Sequence, residues 1–599
     1  MASIPRRQFL ANKIGDTPPP QMKFLAFKPS RWLAGRRLLL WFGLLIRFAA
    51  GTLADRLRGQ DQPERRARRL RLAFAGAGGT FTKIGQHLAM RLDFLPWTYS
   101  IELSRLREQV APFPVAEAIA VFERETGRSL SQAFASFDPQ PIVSNAVACS
   151  YQAVRHDGRK VVVKVRRPGI GELFMSDALA FSWILRAVEF LTVVRPGYTD
   201  DLRREFRETL LAELDFVQEA RSQDFFRRAA KKSGKKFFTA PRIHFDLCGS
   251  AVIVEEFRGG IWLWELLAAL EQNNEEVLAL TRQLNIDPVK VARRLSWVSF
   301  WGWDSSMFFI ANPHPDNIII GPDSQITYID FSQVSSIESS KRYALLQNMY
   351  YTWKNDALNM ARASMVLLEP LPPIDIIDFT KELESHNWQL LYMLASSNDG
   401  KSWADRTTAL QWLGLIRTAG KYQVNIDFSV LRLIRSMLLS DSLSARLDPA
   451  FDIVKAYRRY NAHRAREARR NVTDKLGDWQ DAADQKIYLR LERLANTTQG
   501  LHFRLRHSLT IPTASFSILL SKWSYALVAL ARFVFQATVL FVGVAVLAGL
   551  LTFLRDGVAP TITAAFTAAL ASWPFYLLLG LLFLVHSRTV LFRLEDKDS

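Results

Sequence analysis

Apolar residues follow three different patterns along this chain. Near the C-terminus, Phe533 to Leu554 is an uncharged run bounded by Arg532 and Arg555, and after Asp556 the run Gly557 to Ser587 is again uncharged and ends at Arg588. About 20 apolar residues cross the core of a bilayer, so the pattern predicts two spanning helices, about 533–554 and 559–585, in a tight hairpin within 506–599. The second carries Trp573-Pro574, a kink or an interfacial anchor. Lys522, Arg532, Arg588 and Arg593 flank the outer ends, whereas the loop offers Arg555 offset by Asp556, so the positive-inside rule places both termini in the cytoplasm.

The N-terminal pattern is different. RRLLLWFGLLIRFAAGTLADRLRG is apolar but carries Arg36, Arg37, Arg47, Asp55, Arg56 and Arg58. It reads as an interfacial amphipathic helix or as a packing helix with a solvated basic face, and the pattern alone leaves both open. It does not read as a signal peptide, because the apolar run begins late and basic residues continue into it. Between these ends, residues 100–135 and 345–505 show helical three- and four-residue spacings. Residues 140–335 mix strand-like runs (VVVKV, SAVIVEEF, NIIIGPDSQITYIDF) with long helices, an α+β catalytic core. The resulting domains are a basic arm (1–75), a helical extension (76–135), an α+β core (136–345), a helical lobe (346–505) and the apolar segment (506–599). No internal repeat is visible.

Charge sharpens this layout. The 599 residues carry +19, and the first 75, with 13 Arg and 3 Lys against 4 acids, account for most of it. A basic balance points to nucleic acid or an anionic membrane surface. Basic residues interleaved with aromatics over a groove, or a recognised nucleic-acid motif, are not present, so no nucleic-acid partner is expected. Only Cys149 and Cys248 occur, which excludes a disulfide framework or a multi-cysteine metal module.

The candidate chemistry lies in the core. Asp157-Gly158 is a two-residue turn signal between β-branched runs. Lys164 then sits inside VVVKV, a strand that otherwise wants burial, and such a charge needs a carboxylate or phosphate partner. The run from Thr199, DDLRREFRETLLAELDFVQEARSQDFFRR, reads as one amphipathic helix. In it Glu213 and Glu219 face different directions, while Asp215 and Glu219 share a face. Taken alone, this is equally a solvated acidic–basic helix. Further on, Asn312 and Asn317 lie on a Pro-rich loop, and Asp330-Phe331 ends the next strand. An amide and then a carboxylate on such a strand–loop–strand is how protein kinases hold Mg²⁺ on ATP phosphates. The order strand Lys, helix Glu, Asn loop, Asp-Phe is also that of a kinase.

These motifs resemble the UbiB/AarF family of atypical kinase-like proteins, the ubiquinone-biosynthesis type. Phe81-Thr-Lys83-Ile-Gly85-Gln86, with Arg91, Asp93 and Leu95-Pro96, is similar to the family's Lys-x-Gly-Gln signature. VVVKVRRPGI, Glu213-Leu-Asp215-Phe216 with Glu219-Ala220, NPHPDN at 312–317 and Asp330-Phe331-Ser332 resemble its further motifs. The resemblance implies a two-lobed protein kinase-like α+β fold with a helical N-terminal extension and a C-terminal transmembrane hairpin. It implies that Lys164 holds phosphates and pairs with Glu219, and that Ser144, Asn145, Ala146 and Glu256 bind nucleotide. Asn317 and Asp330 would hold Mg²⁺. Lys83, Gln86, Glu213 and Asp215 would form the motif of the extension, with Lys83 reaching over the nucleotide site to pair with Glu213, and the extension would occlude the cleft where a protein substrate would lie. ATP and Mg²⁺ are the implied cofactors. The implied role is slow ATP hydrolysis coupled to membrane lipids or quinone precursors at the cytoplasmic membrane, with quinone-biosynthesis enzymes and a homodimer as further partners.

The chain departs from the family at several positions. The catalytic Asp is Asn312, and an amide cannot accept a proton as a carboxylate does. The preceding His is Ile310. The alanine-rich phosphate loop becomes Val143-Ser144-Asn145-Ala146 with Cys149 after it, and Asp316 and Ser332 replace glycines. Asp316 offers a substitute carboxylate, and Cys149 reads as small packing rather than a redox switch. The expectation is a slow ATPase or a pseudokinase that binds ATP and lipid as a scaffold. On that reading, restoring a carboxylate with Asn312→Asp should raise turnover.

Overall fold

The computed structural model describes residues 27–77, 81, 84–85, 97–104, 106, 110–190, 198–304, 308–369, 371, 374–396, 407–422, 424, 426–476, 514–556 and 561–595. Two compact units emerge. The first takes in 1–181, 204–368 and 382–463, and the second 182–203, 369–381 and 464–599.

In the first unit, α1 (Arg31–Leu57) and α2 (Pro63–Ala77) precede α3 (Trp97–Ser104), α4 (Val115–Thr126) and the short α5 (Leu130–Ala133). One face of α1 is packed. Trp41 sits among the rings of Phe74, Phe81 and Phe181, and Arg37 donates to both carboxylate oxygens of the buried Asp177 at 2.5 and 2.8 Å. Gly85 belongs to the same packing, since a Cβ there would collide with Leu106 and crowd Phe74. The opposite face of α1 is apolar and exposed, with Trp32, Leu39, Phe42, Ile46, Leu53 and Leu57 48% or more accessible. One face of this segment is thus packed as in a packing helix, and the other presents apolar side chains rather than a purely basic surface.

Strands β1 (Ser136–Ser144), β2 (Ala148–Val154) and β3 (Lys160–Arg166) form an antiparallel sheet completed by β5 (Val252–Glu256), in the order β1-β2-β3-β5. Period-2 alternation decides its faces. Val161, Val163 and Val165 turn into a core with Val121 and Phe122 of α4, Tyr151 and Val254, which leaves Val162 and Lys164 on the other face. The β2–β3 turn is longer than the two residues expected. Arg155 N–H donates to the Arg159 carbonyl, enclosing His156-Asp157-Gly158, with Gly158 left-handed at φ 80°.

The helix expected from Thr199 is two helices separated at Asp215. After α6 (Ile170–Phe190), α7 (Tyr198–Leu214) ends and α8 (Phe216–Lys232) begins, because Asp215 leaves helical geometry and its carboxylate accepts from the Gln218 N–H at 2.9 Å. That side chain acts as an N-cap, which competes with continuation of the helix.

A second sheet has the order β4-β9-β8-β6, from β4 (Phe238–Thr239), β6 (Ile261–Trp262), β8 (Ile318–Gly321) and β9 (Gln325–Tyr328). The segment 257–260 joins β5 to β6. Its Gly260, at φ 153°, passes so close to the Ile320 carbonyl that no Cβ would fit. Helices α9 (Leu263–Gln272), α10 (Glu275–Gln283) and α11 (Pro288–Asp304) follow, and β7 (Phe309–Ile310) pairs with β10 (Val334–Ser335). Then come α12 (Ser339–Lys354), α13 (Ala357–Leu367), α14 (Ile376–Ala395), α15 (Ala409–Lys421), α16 (Phe428–Leu447) and α17 (Ile453–Leu476). Trp297, Trp301, Phe226 and Phe238 interlock beneath the second sheet.

In the second unit, α18 (Ala514–Asp556) runs as one helix through the predicted first span. The predicted second span is broken into α19 (Ile562–Leu570) and α20 (Trp573–Glu595), bent by 64°. Pro574 lacks an N–H, so it is accepted in the first turn of a new helix but not within a continuous one. Phe541 meets Phe566 of α19 and Phe575 of α20, and Phe533 meets Phe583. By length and composition, α1 and residues 533–554 could each cross a membrane, and α19 with α20 would be a third, broken span.

Candidate functional site: a cleft with a lysine–glutamate pair

The two sheets of the first unit enclose a cavity of about 520 Å³. Lys164 and Val162 of β3, Glu255 and Glu256 of β5, and Ser144 and Asn145 at the β1–β2 turn line one side. Asn312, His314, Asp316, Asn317 and Asp330 line the other, with Trp262 and Trp264 at its rim.

Lys164 Nζ contacts both Glu219 oxygens, at 2.7 and 2.9 Å, and lies 5.0 Å above the Phe216 ring. Burial by itself would push the ammonium down, but the carboxylates of Glu219 and Asp330 outweigh it and hold Lys164 above the ordinary lysine range, so it stays charged. The cap at Asp215 matters here. It starts α8 so that Glu219, in the first turn and 2% exposed, meets the strand lysine.

Opposite, Asn317 Nδ2 donates to Asp330 Oδ2 at 2.8 Å, and Asp330 Oδ1 accepts from Ser332 N–H at 2.9 Å and Ser332 Oγ at 2.7 Å. Ser332, which stands where the family has glycine, thus orients the carboxylate. The loop is rigid locally: His314 N–H donates to the Asn312 carbonyl, Asn317 N–H to the His314 carbonyl, and Ile329 N–H to the Asn317 carbonyl. Among the described residues no three His, Cys, Asp or Glu side chains cluster as a metal cage. An amide oxygen and a carboxylate side by side nevertheless suit Mg²⁺, which keeps waters and completes its shell from phosphates.

The phosphate-loop position is a closed hairpin turn. Asn145 Oδ1 accepts from the N–H groups of Val147 and Ala148, and Ser144 Oγ accepts from Arg167. Ser144 and Asn145 reach the cavity, whereas Ala146 is buried and is not among its lining residues. Glu256 lines the cavity and accepts from Arg258 at 2.9 Å. Glu213 is buried and accepts from Gln333, just past Asp330, at 2.6 Å. Lys83 and Gln86 lie outside the described residues.

Two residues absent from the sequence reading stand out. Glu255, next to Glu256, shares the cavity face and bonds Gln223, and burial pushes its carboxyl up to about 7. Arg435 of α16 is buried and donates to Asn312 Oδ1 at 3.3 Å. Glu255 is visible in VIVEE only as a second acid, and nothing in the helical pattern of α16 marks Arg435.

Residues 105–364 match the ABC1 atypical kinase-like domain. That stretch is an ABC1 atypical kinase-like domain, and several proteins described as UbiB are 27–31% identical to this chain, in line with the UbiB/AarF resemblance. Relatives of this ABC1 domain include the Arabidopsis thaliana protein Activity of BC1 complex kinase 3, chloroplastic, 30% identical over 77% of this chain and 61% of the relative. The Azotobacter vinelandii protein described as probable protein kinase UbiB is 28% identical over 66% of this chain and 70% of the relative. The chain thus spans about three-fifths of the plant relative's length. A solved Mycobacterium tuberculosis structure, titled as the Rv3197–erythromycin complex, aligns at a TM-score of 0.42 and 17% identity over 62% of this chain and 89% of that one.

Proposed function

We propose that this is a membrane-associated, UbiB-like protein that binds Mg²⁺-ATP in the cleft and hydrolyses it slowly at most, in support of isoprenoid-quinone synthesis or membrane-lipid handling. The observation that carries the proposal is the Lys164–Glu219 pair facing Asn317 and Asp330 across one cavity. Lys164, kept charged, would meet phosphate oxygens, and Asn317 with Asp330 would hold Mg²⁺. The bound metal supplies neutralisation of phosphate charge. Trp262 and Trp264 offer aromatic surface to a base, and the neighbouring backbone around Glu256 offers polar groups.

The position expected to supply a base is the amide Asn312. That favours a second form of the same reading, a pseudokinase that holds ATP and lipid as a scaffold. ATP hydrolysis by the purified full chain against Asp330→Asn decides between them: turnover well above that variant supports the slow ATPase, and turnover equal to it supports the scaffold.

The link to quinone precursors and their biosynthetic enzymes rests on the family resemblance and the UbiB description of relatives. Membrane association rests on three features: the apolar α18, the broken pair α19–α20, and the exposed apolar face of α1, bordered by Arg36, Arg47 and Arg58. That face fits the interface of an anionic leaflet, apolar side down and guanidinium groups among the headgroups. The kinase-like unit would then lie on the cytoplasmic side.

A further inference from the structure

Arg435 is a buried guanidinium with no carboxylate partner among the described residues. Its residue is 4% accessible, and among the described residues no ion pair joins it, its Nε has no hydrogen-bond acceptor and its one side-chain hydrogen bond is to Asn312. The helix that carries it is fixed to the same loop, because Ser436 Oγ donates to the Ile310 carbonyl at 2.7 Å. Other bonds hold α16 from below, with Ser444 Oγ on the Ala292 carbonyl of α11. Arg435 is therefore placed against position 312 by its backbone, without relying on its own bond.

The chemistry of this contact assigns the amide. A guanidinium has donors only, so Asn312 must turn its oxygen to Arg435, and its Nδ2 group is left as the limb available to the cavity that Asn312 lines. Among the described residues no protein group accepts from that NH₂. A carboxylate at this position could offer a substrate only an acceptor. The amide, oriented by Arg435, offers a donor, backed by a positive charge that has no counter-ion among the described residues.

We propose that Arg435 is a positioning residue that makes Asn312 a hydrogen-bond donor to the terminal phosphate of a bound nucleoside triphosphate. The pair thereby reads the triphosphate against the diphosphate. This rests on the nucleotide-binding reading above and deepens it: the chain departs from the kinase pattern at this position in a way that retains ATP. The carboxylate that would act as base is exchanged for a group that favours the unreacted state of the ligand. Asn312→Asp therefore acquires a different expectation from the one the sequence suggests. The new carboxylate would be taken up as the counter-ion of Arg435, and the donor to the phosphate would be lost.

The test uses the purified full chain in detergent with Mg²⁺, and measures ATP and ADP dissociation constants by calorimetry for wild type, Arg435→Met, Asn312→Ala and Asn312→Asp. Loss of one hydrogen bond to a charged group predicts about a tenfold or greater weakening of ATP binding in all three variants. ADP binding should stay within about twofold, since ADP lacks the phosphate concerned. In the absence of nucleotide, Asn312→Asp should unfold at a higher temperature than wild type, a readout independent of ligand.

Equal weakening of ATP and ADP, or no change in either, overturns the proposal while leaving the nucleotide site intact. Failure of wild type to bind both nucleotides overturns the functional reading itself. If Arg435→Met does not fold, the two substitutions at Asn312, on the half-buried cavity wall, still decide the outcome.

Discussion

Glu219→Gln isolates the pair on which the cleft depends. The substitution keeps the shape of the side chain and one acceptor for Lys164, but removes the negative charge and one of two contacts at 2.7 and 2.9 Å. Removing one partner of a buried pair costs about 3–5 kcal/mol, because the other charge is left uncompensated. Here the cost is smaller. The Lys164 side chain is 19% accessible, so some water reaches it, and the Gln oxygen keeps one bond. A loss of about 2–3 kcal/mol is expected, which for a unit of more than 400 residues is roughly 2–4 °C in the unfolding midpoint. Differential scanning fluorimetry at pH 7 measures it. Lys164→Met combined with Glu219→Leu, which removes both charges, should recover most of the stability, as buried pairs exchanged for apolar residues often do. That double variant should still fail to bind nucleotide. A midpoint for Glu219→Gln within about 1 °C of wild type would show that the pair is not a buried ion pair and would refute the reasoning.

Other expectations follow from the same cleft and its supports. Burial raises the Glu255 carboxyl to about 7, so the folded state binds a proton that the unfolded state releases at lower pH; stability therefore declines as pH rises from the ordinary carboxylate range through about 7. Glu255→Gln should abolish that decline in a pH series of urea melts, and an unchanged slope would contradict the burial account. Asp215→Ala should cost about 1 kcal/mol by loss of the α8 cap, read by urea unfolding, and should also weaken nucleotide binding because Glu219 lies in the first turn. At the outer face of α1, a polarity-sensitive dye on Ile46→Cys should report an apolar environment in vesicles containing anionic lipid. It should report water in neutral ones, and identical signals would argue against interfacial docking.

The parts of the site that were legible in the sequence are those carried by short, local patterns. Lys164 declares itself as a charge inside an otherwise apolar strand, and Asn317 with Asp330 as an amide and a carboxylate bracketing the β8–β9 pair. Where the structure differs, a local competitor overrode the pattern. The helical period continues across Asp215, but a side chain that caps a backbone N–H ends one helix and starts another. The Asp157-Gly158 signal is real, yet His156 joins the loop and Gly158 takes the left-handed position. Trp573-Pro574 predicts a kink or an interfacial anchor, and the chain there breaks between two helices bent by 64°. Arg435 could not be read at all, because its contact with Asn312 joins residues 123 apart in sequence. No periodicity distinguishes an arginine that faces the Asn312 loop from one that faces solvent.

The most direct test of the central claim is the thermal shift of the full-length protein with ATP, with and without Mg²⁺. At about 100 times its dissociation constant a ligand adds about 2.7 kcal/mol, so a saturable rise of several degrees that requires Mg²⁺ is predicted. It should vanish in both Lys164→Met and Asp330→Asn. No shift in wild type, or a shift that survives both substitutions, would contradict the assignment of this cleft as the nucleotide site.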